Sequence, residues 1–320
     1  MTARPRPLHS GPAIQDATHV VVLMATHNGA SVLGDQLDSL LNQSHTNWSL
    51  IVSDDGSTDT TRALVRRFAR ETPWHRVVLL RGPKRGAAQN FLSLLRAAGR
   101  PAFAAFCDQD DFWLPRKLEH AVGALADRSR PTLYGSRTII ADADLRPLRP
   151  SLRFRRSPGF GNALVQNIAG GNTMVMNRAA LDILRPASLS ATDIIAHDWW
   201  CYQMITGGGG DVILDERPGL LYRQHSENLI GANDSLRARL RRMRGVIDWQ
   251  YAGWINGHIE ALEAARDWLS PKACDQLDLL RQARNARMPN RLWVTWQASI
   301  YRQSVPGSAA LWLAALFGRL

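Results

Sequence analysis

The chain is poor in cysteine, with Cys107, Cys201 and Cys274 the only three in 320 residues. An odd number at no metal-ligand spacing argues against a disulfide framework or a cysteine-bound metal, and suits a reducing compartment. Long apolar runs are missing too. None reaches the ~18 residues that a membrane-crossing helix needs, so no transmembrane span is expected. Residues 1–17 contain prolines and arginines but no apolar core of about seven residues, and read as a disordered tail rather than a signal peptide. Acidic residues are outnumbered 28 to 39 by basic ones, a net charge of +11. Such a balance favours polyanionic partners: a membrane surface, nucleic acid or phosphorylated substrates. There is no internal repeat. Hydrophobic residues make up 45% of the chain, enough to core one large domain with an extension, or two domains.

What is present is concentrated at one place. Cys107-Asp108-Gln109-Asp110-Asp111-Phe112-Trp113 puts three carboxylates directly after the apolar run 102–106. That run reads as a buried strand. Like charges a few ångströms apart raise one another's pKa, so three acids at a strand end call for a cation. Oxygen-only ligands favour Mg²⁺ or Mn²⁺, and such an ion commonly holds a substrate's phosphates as well. The plainer alternative is a solvated acidic turn.

The neighbouring segments weigh against the plain alternative. Strands are predicted over 19–25, 48–52, 77–80 and 102–106, with amphipathic helices over 31–43, from Thr58 or Asp59 to about Arg70, and over 86–98. This alternation predicts an open, mostly parallel α/β sheet with helices on both faces. Ligands then bind outside the carboxyl ends of the strands. Three of those ends carry polar clusters: Thr26-His27-Asn28, Asp54-Asp55, and Asp108 to Asp111. Further on, 131–141 reads as a strand, 142–160 as a loop rich in proline and arginine, and helices follow Arg178 and open at His197.

At this point the chain resembles a family 2 glycosyltransferase with a GT-A fold, closest in look to rhamnosyltransferase-like members that build bacterial surface polysaccharide. The matching elements are Ala25-Thr26-His27-Asn28-Gly29, residues 36–44, Ser53 to Asp59, Cys107 to Leu114, Gly170 to Arg178, His197-Asp198-Trp199-Trp200 and Tyr222-Arg223-Gln224-His225. The resemblance covers about 18–232. It implies a GT-A domain over 18–232 followed by a basic, Trp-rich helical segment over 233–320. It also implies metal-dependent transfer, with inversion, of a sugar from a nucleoside-diphosphate donor to a saccharide or lipid-linked saccharide. dTDP-L-rhamnose is the first donor to consider, and a UDP-hexose or UDP-N-acetylhexosamine the alternative. The leaving diphosphate then needs a cation, the acceptor hydroxyl a general base, and the nucleoside a firm seat.

The resemblance maps the ion-binding aspartate onto Asp110, with His225 as a further candidate ligand. Asp108 faces the ribose or the ion. Asp111 either backs the site or caps the helix from Leu114. Asp198 is the expected base; a carboxylate between a histidine and two tryptophans is partly desolvated, which raises its pKa toward the working range. It could also cap the helix that opens at Trp199, a role that need not exclude the first. Asp55 is expected on the base's imide N–H, with Thr26, His27 and Asn28 around the nucleoside and Asp54 orienting the loop. His27 departs from the family, where a tyrosine commonly stacks. Gln89-Asn90 stands where a cation followed by Asn is more usual, so Gln89 is a donor-side candidate, and Lys84, Arg85 or Arg223 are candidates to supply the missing charge. Gly171 and Asn172 read as acceptor-side loop or as a tight turn, and Trp199 and Trp200 as walls of the acceptor pocket, one of them core.

Beyond Ser235, Leu236, Leu240, Met243 and Ile247 share a helical face that Arg237, Arg239, Arg241, Arg242 and Arg244 surround. A basic amphipathic helix of this kind lies on anionic lipid. Six tryptophans follow, a residue that favours the membrane–water boundary. Peripheral attachment to the cytoplasmic face of the plasma membrane is therefore expected, against the alternative of helices packing on the catalytic core. Two other classes fit less well. A nucleotidyltransferase would carry a basic Gly-rich loop after the first strand, which 26–30 lacks. Nucleic-acid binding rests on net charge alone, with no stacking motif.

Overall fold

The computed structural model describes residues 17–224 and 249–320. Residues 1–16 of the expected tail, His225 and the basic helix 236–247 lie outside the described residues. The first half runs β1 (Val20–Thr26), α1 (Leu33–Leu41), β2 (Trp48–Asp54), α2 (Thr61–Glu71), β3 (Val77–Arg81), α3 (Ala87–Ala97) and β4 (Phe103–Cys107), each within a few residues of its expected place. Then come β5 (Phe112–Trp113), α4 (Lys117–Leu125), β6 (Thr132–Ala141), β7 (Pro147–Pro150), α5 (Phe160–Ala163), β8 (Val175–Asn177), α6 (Arg178–Ala187), α7 (His197–Gly207) and β9 (Asp211–Arg223). Four helices complete the described chain: α8 (Trp249–Ala264), α9 (Pro271–Asn285), α10 (Asn290–Gln297) and α11 (Val305–Leu316).

The strands form one sheet in the order β3-β2-β1-β4-β8-β6-β9-β5, with β7 on β6. The β3-β2-β1-β4 half is parallel throughout, and β8 joins it antiparallel. β1 shows why the sheet is central. Its seven residues are all buried, and they divide by the two-residue period of a strand. Val20, Val22 and Met24 pack with α1, α2 and α4; Val21, Leu23 and Ala25 pack with α3, α6 and α7. The C-terminal helices extend the second of these cores through Ile255, Leu262, Leu277, Val294 and Leu311. Caps hold the starts of α9 and α11: Ser270 and Ser304 each accept a backbone N–H three residues on, and proline stands in the first turn of both.

Two local expectations are corrected. The span 142–160 is not all loop, because β7 pairs with the outer end of β6. Asp111 does not cap a helix: α4 begins at Lys117, and the buried Asp111 carboxylate accepts from Asn172 instead.

Candidate active site

Parallel register brings three polar strand ends to one edge of the sheet. Thr26 lies beside Asp54, and Met24 beside Cys107. At the end of β2 the protein itself fills the carboxylates. Asp54 accepts from the Ser57 backbone N–H at 3.1 Å, from the Ser57 hydroxyl and from Thr26 Oγ1 at 3.4 Å, and Arg62 lies 3.6 Å away. Asp55 accepts from the backbone N–H of Lys84 at 2.6 Å and of Gly86 at 2.9 Å, so it clamps the loop after β3. A Cβ at Gly82 would meet Asp55 Oδ1 at 2.7 Å, so this close approach requires glycine. Asn28, in the left-handed region at φ 47°, accepts from the Thr58 N–H at 2.9 Å.

His27 is exposed, and Gln109 grips its backbone from both sides, accepting from its N–H at 2.9 Å and donating to its C=O at 3.0 Å. Sequence reasoning passed over Gln109; its only signal was its place inside the acid cluster. Gln89, expected on the donor side, donates to the carbonyls of Ala191 and Thr192. Arg85 donates to the same Thr192 carbonyl.

The end of β4 is built differently. Asp108 is half-buried, and its carboxylate accepts no hydrogen bond from the described residues. Burial, with Asp111, Asp110 and Asp198 nearby, holds its carboxyl well above the usual carboxylate range. Asp111 is fully buried and pushed up to about 8, by burial and then by Asp110. It accepts from Asn172 Nδ2 at 2.6 Å. Arg223, expected near the diphosphate, is committed elsewhere. Its guanidinium donates to the carbonyls of Asp110 at 2.9 Å and Ala143 at 2.6 Å, and pairs with Asp35 at 2.5 Å. It therefore braces the acid loop from behind.

Asp198 sits in the first turn of α7, whose N-cap is Ala196, so it is not the cap. Its Oδ2 accepts from the Gly171 N–H at 2.9 Å and its Oδ1 from the Trp199 N–H at 2.7 Å. A Cβ at Gly171 would meet His197 Nε2 at 2.5 Å, so only glycine lets that N–H approach. Neighbouring Asn172 holds Asp111, so the short helical turn at Gly171–Thr173 bridges the acid cluster and Asp198. His197 stacks on Phe91 at 3.9 Å and meets the edge of Phe106; burial lowers its pKa to about 4. It stands behind Asp198 as a neutral ring. Trp199 and Trp200, expected as pocket walls, are both core: they are 6% and 0% exposed, and Trp199 Nε1 donates to the Ala163 carbonyl at 2.6 Å.

Asp108, Asp198, Gly171, Asn172 and Tyr222 all line one cavity of about 490 Å³, the size of a small-ligand site. Tyr222 was quoted in a motif but given no role. Burial and four surrounding aspartates hold its phenol well above its ordinary value. Among the described residues no three His, Cys, Asp or Glu side chains form a ready cage for an ion. The donor set nevertheless fits a hard divalent cation. Asp108 supplies a carboxylate crowded by Asp111, Asp110 and Asp198, and Mg²⁺-type sites use one or two carboxylates completed by substrate phosphates.

Comparisons with known proteins bear on family and fold. The model of Glycosyl transferase family 2 matches residues 21–182, half of the chain. The dTDP-rhamnosyl transferase RfbG of Shigella flexneri is 29% identical over 227 residues, spanning 69% of this chain and 78% of that protein. The putative teichuronic acid biosynthesis glycosyltransferase TuaG of Bacillus subtilis is 31% identical over 159 residues, 50% of this chain and 62% of its own length. Among solved structures, S. aureus TarS 1-349 in complex with UDP superposes with a TM-score of 0.53 at 16% identity, covering 94% of this chain and 88% of that one. The mannosyltransferase PcManGT from Pyrobaculum calidifontis, in complex with GDP-Man and Mn²⁺, gives 0.50 at 18% identity, covering 99% and 92%. These two likenesses speak to fold alone. With strand ends, acid cluster and family model in agreement, the chain belongs to glycosyl transferase family 2 and has the GT-A fold.

Proposed function

We propose that this glycosyltransferase moves a sugar, with inversion, from a nucleoside-diphosphate donor to a saccharide or lipid-linked saccharide during cell-surface polysaccharide synthesis. The observation that carries the reading is the shared cavity of Asp108 and Asp198, with Asp198 fixed by two backbone N–H groups. A carboxylate so held can accept the proton of an acceptor hydroxyl without searching for its orientation. Asp108 and Asp110 would hold Mg²⁺ or Mn²⁺, which when bound neutralises charge on the leaving diphosphate. His225 stays a candidate further ligand. On the donor side, Asp55 keeps acceptor capacity beyond its two loop bonds, enough for one imide N–H of uracil or thymine. Thr26 is buried against Asp54, and so serves the nucleoside through the loop it helps shape; His27 is exposed and free to stack. Similarity to a dTDP-rhamnosyl transferase puts dTDP-L-rhamnose first among donors, with UDP-sugars second. The family match leaves no need for a nucleotidyltransferase.

A screen of nucleotide sugars for metal-dependent hydrolysis or transfer tests the reading. dTDP-L-rhamnose turnover in Mn²⁺ is the expected result. Turnover of none, at any metal, would sink it.

The same reading includes peripheral attachment to the inner face of the plasma membrane. No helix among the described residues is long and apolar enough to cross a membrane. Trp293 and Trp296 stack at 5.1 Å yet are 57% and 61% exposed; Trp312 lines the same hollow as Trp296, and Phe317 is exposed beyond it. An exposed tryptophan cluster on a chain of net charge +11 suits an anionic lipid surface. Flotation of the full-length protein with anionic vesicles at low salt checks this; protein left wholly in the soluble fraction refutes it.

A further inference from the structure

We infer that the cavity beside Asp198 carries an anion subsite centred on Arg137, and that the acceptor bears a phosphate ester or a carboxylate close to the hydroxyl that reacts. The inference rests on the glycosyltransferase reading of that cavity. Arg137 lies where β6 loses register with β9: Ser136 faces Asp215, but Arg137 faces Pro218. The irregularity turns the strand, a common way to re-aim a side chain at a site. Arg137 lines the same cavity as Asp108 and Asp198. One guanidinium nitrogen donates to the Ser151 carbonyl, which anchors the side chain to the adjoining loop. Its Nε is buried with no hydrogen-bond partner among the described residues. Arg137 also forms no ion pair among them, whereas the two acids on its own wall are already matched. Asp215 takes Arg217 at 2.7 Å and the Tyr134 hydroxyl at 2.8 Å, and Glu216 takes Arg153.

A buried donor of a permanently charged group is costly to leave unmade, and guanidinium matches the two-oxygen geometry of phosphate and carboxylate. Of the donor-side residues only Asp108 reaches the cavity; Thr26, Asn28, Asp55 and Lys84 do not line it. The donor's diphosphate would be drawn to a cation held by Asp108 and Asp110, which leaves the Arg137 subsite to an anion of the acceptor.

The test uses full-length protein with UDP and Mn²⁺ saturating the donor side. Three probes are titrated and followed by NMR: N-acetylglucosamine 1-phosphate, glucuronic acid, and the neutral methyl glycoside of N-acetylglucosamine. At least one anionic probe should bind tenfold or more tighter than the neutral one. Preference for the phosphate points to a phosphate-linked acceptor, and preference for the uronate to an acidic sugar. Arg137→Gln should erase the preference. Arg137→Lys, which keeps the charge but not the two-pronged geometry, should keep only part of it, and serves also if the glutamine variant fails to fold. Equal binding of all three probes by wild type that holds UDP would overturn the anion subsite alone, as would a preference that survives in folded Arg137→Gln. Failure of UDP itself to bind would overturn the donor reading, and this one with it.

Discussion

At the end of β2, Asp54 and Asp55 have protein donors on their oxygens; at the end of β4, on the other side of β1, the Asp108 carboxylate has none from the described residues. Sequence alone makes the two sites look alike, as short acid clusters after buried strands. The structure separates them by where the matching N–H and O–H groups are. The loops 55–58 and 82–86 wrap the first pair, so those carboxylates act as internal struts that shape the loops themselves. Around β4, burial and neighbouring acids outweigh the one amide donor that Asn172 gives Asp111, so Asp108 and Asp111 hold their protons unusually tightly. A strut needs nothing from outside, whereas a crowded acid cluster is completed by a cation and the phosphates that come with it.

The sharpest break between the regions should come from the base. Asp198→Asn keeps one oxygen acceptor in the Gly171 cradle but removes the proton-accepting charge. Turnover should fall by roughly 10²–10⁴, the span of general base catalysis, with UDP affinity changed less than about twofold. Steady-state rates and a UDP titration on the same preparation check both halves. Normal turnover would mean that the base lies elsewhere. Asp110→Ala should do the reverse of this on the donor side. Mn²⁺ should no longer strengthen UDP binding, a loss of about tenfold or more read by calorimetry with and without EDTA. If chelation weakens UDP binding as much in the variant as in wild type, Asp110 holds no ion.

A third effect comes from behind Asp198. Burial lowers the His197 pKa to about 4, well below its unfolded value of about 6.5. Between those two values the unfolded chain takes up a proton that the folded chain refuses. The stability is therefore present above about 6.5 and is lost as pH falls toward 4. His258, also buried, pulls the same way with a value of about 3. His197→Leu should remove its own share, making urea stability fall between pH 7 and pH 4.5 by about 2 kcal/mol less than in wild type. An unchanged acid limb would show that His197 is not buried neutral.

How much of this was legible follows the same division. Strands β1 and β4 are apolar runs because parallel strands inside a sheet are buried on both faces, whereas β3, at the end of the strand order, is only partly buried; the helices between them keep a clear apolar stripe. β5 has two residues and α5 four, too few for any periodicity to register, and β7 hides among prolines and arginines. Asp108, Asp110, Asp198 and Asn172 could be named because the motifs carry them. The grip of Gln109 on His27 and the brace of Arg223 on the Asp110 loop depend on contacts between distant segments, which spacing does not reveal. Trp199 and Trp200 misled because α7 starts with polar residues yet is buried on nearly every side.

The smallest expected effect is also the most direct test of the comparison, because the same substitution at the two strand ends should change stability in opposite directions. Asp54→Asn replaces an acceptor-only group with one that carries two N–H donors, facing the Ser57 N–H and hydroxyl and the Thr26 hydroxyl. It should cost about 1–3 kcal/mol, since buried donors lose their partner. Asp108→Asn removes a carboxyl whose ionisation burial, Asp111, Asp110 and Asp198 all oppose. In metal-free buffer near neutral pH it should stabilise the fold by about 1 kcal/mol. Melting curves of both variants in EDTA read the two signs. With Mn²⁺ and UDP added, the order at β4 should invert, because wild type gains the ligand's stabilisation and Asp108→Asn gains less of it. If both substitutions destabilise equally in EDTA, Asp108 is another strut, and the cation assignment at the end of β4 loses its physical basis.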